Sequence, residues 1–195
     1  MLAYKLAISQ ALNKLGHFFD EKMQEKKQTM NQDITIENTE TWKLIDKYQY
    51  ETGKELLDDL GSKGYRMSDW IIDIVDRPSF QIGQYSWPVK LSRVKVEALG
   101  YSEPAKLQQI YNSFMQLGFS CVPPDVALVS RFFYDEQPTG EWLRIAVPMG
   151  SMIDSDDVAH LPKLGKALGA FFVETYWANP DIIFYPHNEF VIVKP

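Results

Sequence analysis

The chain has 195 residues, 45% apolar and 24% charged, and 26 acidic against 20 basic residues give a net charge of −6. That length and apolar content suit one domain with a real core and exclude intrinsic disorder; no apolar run reaches the ~18 residues of a membrane-spanning helix. The acidic balance argues against a dedicated nucleic-acid binder, and a single cysteine, Cys121, excludes an internal disulfide framework and a multi-cysteine zinc site.

Residues 1–30 carry five lysines against Asp20, Glu21 and Glu25, so this stretch is +2 and the remainder −8. Tyr4, Ile8, Ala11, Leu12, Leu15, Phe18, Phe19 and Met23 recur at helical spacing and predict an amphipathic helix over 3–26. Its polar interruptions and lack of a small-residue cleavage site argue against a signal peptide. Docking on its own domain, on a second copy or on a protein partner is expected of it. Residues 31–195 read as a single α+β domain, with a helical part over 40–118 and a strand-rich part over 124–195.

Thr52-Gly53-Lys54-Glu55 is a capping box ahead of Leu56, Leu57 and Leu60, so a helix is predicted there, ending near Gly61–Gly64. Ser68 reads as the cap of a second helix with Trp70, Ile71, Ile74 and Val75 on its apolar face and Pro78 as its stop. Asp69, Asp73 and Asp76 on that helix oppose contact with phosphates, against a DNA-reading role. Val89, Leu91, Val94 and Val96 mark an extended segment. Ser102 and Pro104 predict the start of a helix with Leu107, Ile110, Tyr111, Phe114 and Leu117 as a core stripe and Gly118 as a left-handed cap.

After Pro123-Pro124 the spacing changes to alternation. Leu128–Asp135 and Glu141–Val147 are predicted as two strands joined around Gln137-Pro138-Thr139-Gly140. Phe171–Trp177 and Phe190–Val193 are further strands, and Leu161–Leu168 is a helix or a loop. The expected fold is α+β, a helical N-terminal half followed by a mostly antiparallel sheet with a central hairpin at about 128–147.

In the hairpin register that gathers the apolar side chains, Tyr134 faces Leu143 and Phe132 faces Ile145. The other face then presents Arg131, Phe133, Asp135, Trp142 and Arg144 as binding candidates. Arginines suit carboxylate or phosphate capture and the aromatics suit a ring. The alternative is structural, a diagonal Asp135–Arg144 ion pair with arginine stems lying on aromatic rings.

Other chemistry is sparse. His17, His160 and His187 lack metal-binding spacing. Cys121 lies in an apolar setting that fits a small core residue better than a nucleophile. Asp154, Asp156 and Asp157 are the only metal candidates, weak ones, since an EF-hand needs a glycine and a distal glutamate absent here. Neither a Walker A motif nor a GxSxG elbow occurs. No cofactor and no catalytic residue are expected.

From Gly64 onward the order of signals resembles an uncharacterised bacterial protein family. The resemblance rests on Ser68-Asp69-Trp70, Phe80, Leu99-Gly100, Leu117 to Pro123, Arg131 to Gly150 and Glu189-Phe190-Val191-Ile192, and covers about two-thirds of the chain. Its most specific stretch is Gln137 to Ala146. Pro124 to Ala127 depart from the family's Glu-Val-Gly, and Asp157 stands where the family often has glycine. The resemblance implies bacterial origin and a coherent domain but no activity. The functional expectation is therefore a non-enzymatic interaction or regulatory protein of the bacterial cytoplasm. The alternative is a small hydrolase or nucleic-acid-processing enzyme using Arg131, Asp135, Glu141 and Arg144.

Overall fold

Thr52 and Ser68 do what their positions predict. The Thr52 hydroxyl accepts from the Glu55 amide at 3.3 Å and opens α1, Gly53–Ser62; the Glu55 carboxylate returns to the Glu51 amide at 2.8 Å. The Ser68 hydroxyl accepts from the Ile71 amide and opens α2, Asp69–Asp76. Satisfying otherwise orphaned amides is what lets these short helices start here. The computed structural model describes residues 34–83 and 85–195. The helix predicted at 3–26 lies outside them.

Seven strands form one sheet: β1 Lys43–Ile45, β2 Arg66–Met67, β3 Val89–Lys95, β5 Trp142–Ile145, β6 His160–Ala167, β7 Ala170–Trp177 and β9 Glu189–Val193. Their spatial order is β1-β3-β9-β5-β6-β7-β2. Pairing is antiparallel except for β5 with β9 and β2 with β7. A two-stranded ladder, β4 Ala105–Lys106 with β8 Ile183–Phe184, stands beside it. Two further helices, α3 Leu107–Gln116 and α4 Pro124–Val129, complete the α+β fold. Among the described residues no helix is long and apolar enough to cross a membrane.

Register separates the two faces of the sheet. Leu143, Leu164 and Val173 lie in one cross-strand row and, with Ile145 and Val191, are fully buried. Helices α2 and α4 pack on this side. Among the described residues, the other side is covered chiefly at its β9 end, where Phe114 of α3 and Phe184 of β8 close on Phe190 with ring centroids 6.1 and 4.9 Å away. Beyond β9, towards β7, this side is more open among the described residues, although Phe184 still reaches Arg144 of β5 at 5.3 Å and Tyr176 of β7 at 5.4 Å.

Several expectations are corrected. Residues 128–135 are not a strand and the hairpin at 128–147 does not exist. Pro124–Val129 are helical and Ser130–Phe133 form a 3₁₀ turn. Pro124 at the first helical position and Asp125 in the first turn favour this start. β5 instead pairs with β6 and β9, and β6 is the segment read as helix or loop at 161–168. Nor are the helices confined to the N-terminal half, since α4 follows the Cys-Pro segment. Residues 102–104 do not start α3: β4 follows them and pairs with β8, and the helix begins at Leu107 with the Gln109 side chain accepting the Lys106 amide at 2.9 Å.

Candidate functional site

Three of the five hairpin candidates fall on one side of the molecule and two on the other. Arg131, in the 3₁₀ turn, is 0% exposed. Its terminal nitrogens donate to the Gln137 side chain and the Tyr134 carbonyl, and its guanidinium stacks on Phe171 at 4.6 Å. Burial lowers its pKa, with nearby Tyr65 and Asp135 acting against that. Gln137 carries the link onward, donating to the Leu164 carbonyl of β6 at 3.1 Å. Phe133 packs against the core from the same turn, and exposed Asp135 accepts, among the described residues, only the Tyr65 hydroxyl, at 3.2 Å. The expected Asp135–Arg144 pair does not form.

Glu141 is likewise used locally. It accepts from Arg93 at 2.6 Å and from the Tyr134 hydroxyl at 2.6 Å, while Arg93 also holds Glu189. Burial first, and then the Glu141 carboxylate, pushes the Tyr134 phenol up to about 12. This cluster clamps the 134–141 loop to β3 and β9.

Trp142 and Arg144 are on the open side of the sheet. The ladder sets Arg144 of β5 opposite Lys163 of β6, and Lys163 opposite Glu174 of β7, so all three share one row and one face. Arg144 lies 5.3 Å from both the Tyr176 and Phe184 rings; Lys163 lies 4.7 Å from Trp142. Burial lowers the pKa of both cations, and for Lys163 the proximity of Arg144 works the same way against Glu174.

A cleft of about 720 Å³ lies elsewhere, between the start of α2, the 154–159 loop and the segment after β7. Such a volume suits a small ligand or side chain. Trp70 and Trp177 line it while 51% and 63% exposed, together with Asp154, Asp156, Asp157 and Ile182. Trp70 was expected in the core stripe of α2; Ile71, Ile74 and Val75 fill that stripe and leave the indole outside.

Beneath Trp70 the His160 ring is buried. Its Nε2 meets Asp154 Oδ2 at 2.8 Å and its Nδ1 meets the Thr175 hydroxyl at 3.1 Å. Asp154 also accepts the Asp156 and Val158 amides at 3.0 and 2.8 Å. Burial alone would raise the Asp154 pKa, but the His160 bond and the two amides prevail and hold it below the ordinary value. Asp73 of α2 accepts the Ser155 amide at 2.6 Å, fastening the loop to the helix. Asp157 adopts a left-handed backbone, φ 61, which aspartate tolerates better than most residues.

Among the described residues no group of three or more histidine, cysteine or carboxylate side chains is arranged to hold a metal ion. Trp177 and Lys163 escaped the sequence reading because one looked like a strand terminus and the other lay in a segment without clear periodicity. The exposed tryptophan in α2 was detectable in principle, since Trp70 sits next to three aspartates on the same helix. In comparison with known proteins, no family model, no curated protein and no solved structure matches the chain.

Proposed function

We propose that the chain is a non-enzymatic interaction protein whose recognition surface is the cleft between Trp70 and Trp177, receiving a cationic side chain of a protein partner. The observation that carries this reading is the pairing of two exposed indoles with Asp154, Asp156 and Asp157 in a lining that contains no lysine or arginine among the described residues. Indole faces attract cations through their quadrupole, and the aspartates add Coulomb attraction of the same sign. His160, buried and bonded at both nitrogens, serves as a strut under the cleft floor. The residues grouped for a hydrolytic reading do not converge: Arg131 and Glu141 are held in separate structural bonds, and Arg144 lies on the opposite side of the sheet from Arg131. The amphipathic segment at 3–26 is taken as a second contact, with a partner or another copy. The bacterial cytoplasm is its setting, in line with the family resemblance.

The test is fluorescence anisotropy of a labelled hexa-arginine peptide titrated with the full chain, against the same peptide made of citrulline. Saturable binding is expected for arginine alone. Trp70→Ala and Trp177→Ala are expected to weaken it about fivefold each, equivalent to a cation–π contribution of ~1 kcal/mol. Equal binding of the citrulline peptide, or unchanged binding by both variants, would overturn the reading.

A further inference from the structure

On the open sheet face, away from the cleft, we propose a binding site for a nucleoside monophosphate, with the phosphate between Arg144 and Lys163 and the base against Trp142. The two cations are cross-strand neighbours, and neither has a carboxylate within ion-pairing distance among the described residues. The Arg144 side chain makes no hydrogen bond to any described residue, and its Nε is buried without a partner. The molecule's other enclosed arginines differ. Arg93 is held by two glutamates and a tyrosine, and Arg131, whose Nε is also buried without a partner, has both terminal nitrogens engaged, which those of Arg144 are not. A half-buried guanidinium with idle donors is costly in a finished fold, and a ligand oxygen is the partner that relieves it.

Two adjacent positive charges match the dianion of a phosphate monoester better than a single carboxylate. The surroundings define the rest of the ligand. Trp142 is 37% exposed, and its ring lies down on the backbone of Gly165, the residue directly opposite it in β6. A Cβ at position 165 would come within 2.2 Å of that ring, so glycine there is what lets the indole lie across the sheet. Phe172 meets Trp142 at 5.9 Å and Tyr176 stands by both cations, which completes an aromatic surround for a flat base. Glu174, on the far side of Lys163, bounds the site and repels a second phosphate.

The experiment is isothermal titration calorimetry of the full chain with AMP, adenosine, inorganic phosphate and a ten-residue oligothymidylate, with thermal melts of each variant. AMP is expected to bind at least about tenfold more tightly than adenosine or phosphate, since it alone makes both the charge-assisted bonds and the base stacking. Arg144→Gln and Lys163→Gln should each weaken AMP about tenfold, or ~1.4 kcal/mol. Trp142→Ala should weaken AMP but not phosphate, an effect a packing role alone would not produce, and Glu174→Gln should tighten both. Lys163→Gln keeps the question open to test if Arg144→Gln fails to fold. AMP binding no tighter than adenosine, AMP affinity unchanged in Lys163→Gln, or binding of the oligonucleotide without AMP would overturn the proposal.

Discussion

Asp154 accepts three hydrogen bonds at the floor of the cleft, and a carboxylate so placed is bound more tightly as an anion in the folded chain than in the unfolded one. Its folded pKa is lowered from 3.8, so its contribution to stability is complete above that value and is lost as the pH falls through the lowered one. The expected outcome is that Asp154→Asn unfolds at lower urea than the parent near neutral pH, and that the gap narrows below about pH 4, where the parent carboxylate takes up its proton. Urea midpoints measured across that range check it; a gap independent of pH would show that Asp154 contributes nothing through its charge. Arg131 shows how residue identity misleads. Arginine is rarely fully buried, so it reads as a surface ligand-binding group until Gln137 and the Tyr134 carbonyl are seen to receive its donors. Asp154 was legible as a polar cluster member, but its bond to His160 was not, because neither residue's neighbours in sequence announce it.

At the scale of elements, the β6–β7 hairpin turns through Leu168 and Gly169, both with positive φ, 49 and 74. Two left-handed residues give the turn whose twist matches the flanking strands, and Asn-Gly is the pair that suits it. Leu168 takes this conformation with its side chain 95% exposed, gaining no burial in return. Leu168→Asn is therefore expected to stabilise the protein by about 1 kcal/mol, read as a raised urea midpoint with an unchanged slope. The same leucine is why the hairpin was hidden: Ala167-Leu168-Gly169-Ala170 has a glycine but no asparagine or aspartate before it, and β6, with Pro162, Lys163 and Gly165, has weak strand propensity. It is a strand because β5 and β7 flank it on both sides. Helix α4 was missed for the opposite reason. Val126, Ala127, Leu128 and Val129 are all buried, and a helix without an exposed face shows no helical periodicity.

Across the whole molecule the C-terminal strand is the keystone of the sheet. β9 lies between β3 and β5, antiparallel to one and parallel to the other, and its Glu189 completes the Arg93 cluster. Ending the chain at Asn188 would expose Val89–Lys95 and Trp142–Ile145 along one edge each and uncover the apolar side chains of α3. The expected outcome is loss of cooperative thermal unfolding followed by circular dichroism, whereas a chain ending at Val193 retains it. A cooperative transition in the shorter chain would assign the sheet's integrity to other contacts.

What the sequence determined by itself is what a few neighbouring residues decide: the caps at Thr52 and Ser68, the apolar stripe of α3, the left-handed turn at Gly118 and the extended runs at 89–95, 171–177 and 190–193. Each follows from hydrogen bonds or side-chain spacing within a turn or a strand. Tertiary structure alone decided that β6 is a strand, that α4 is a helix, that Arg131 is interior and that Arg144 stands beside Lys163. The physical reason is that burial on every side erases local periodicity, and cross-strand neighbours meet through register across a sheet, which no single segment encodes.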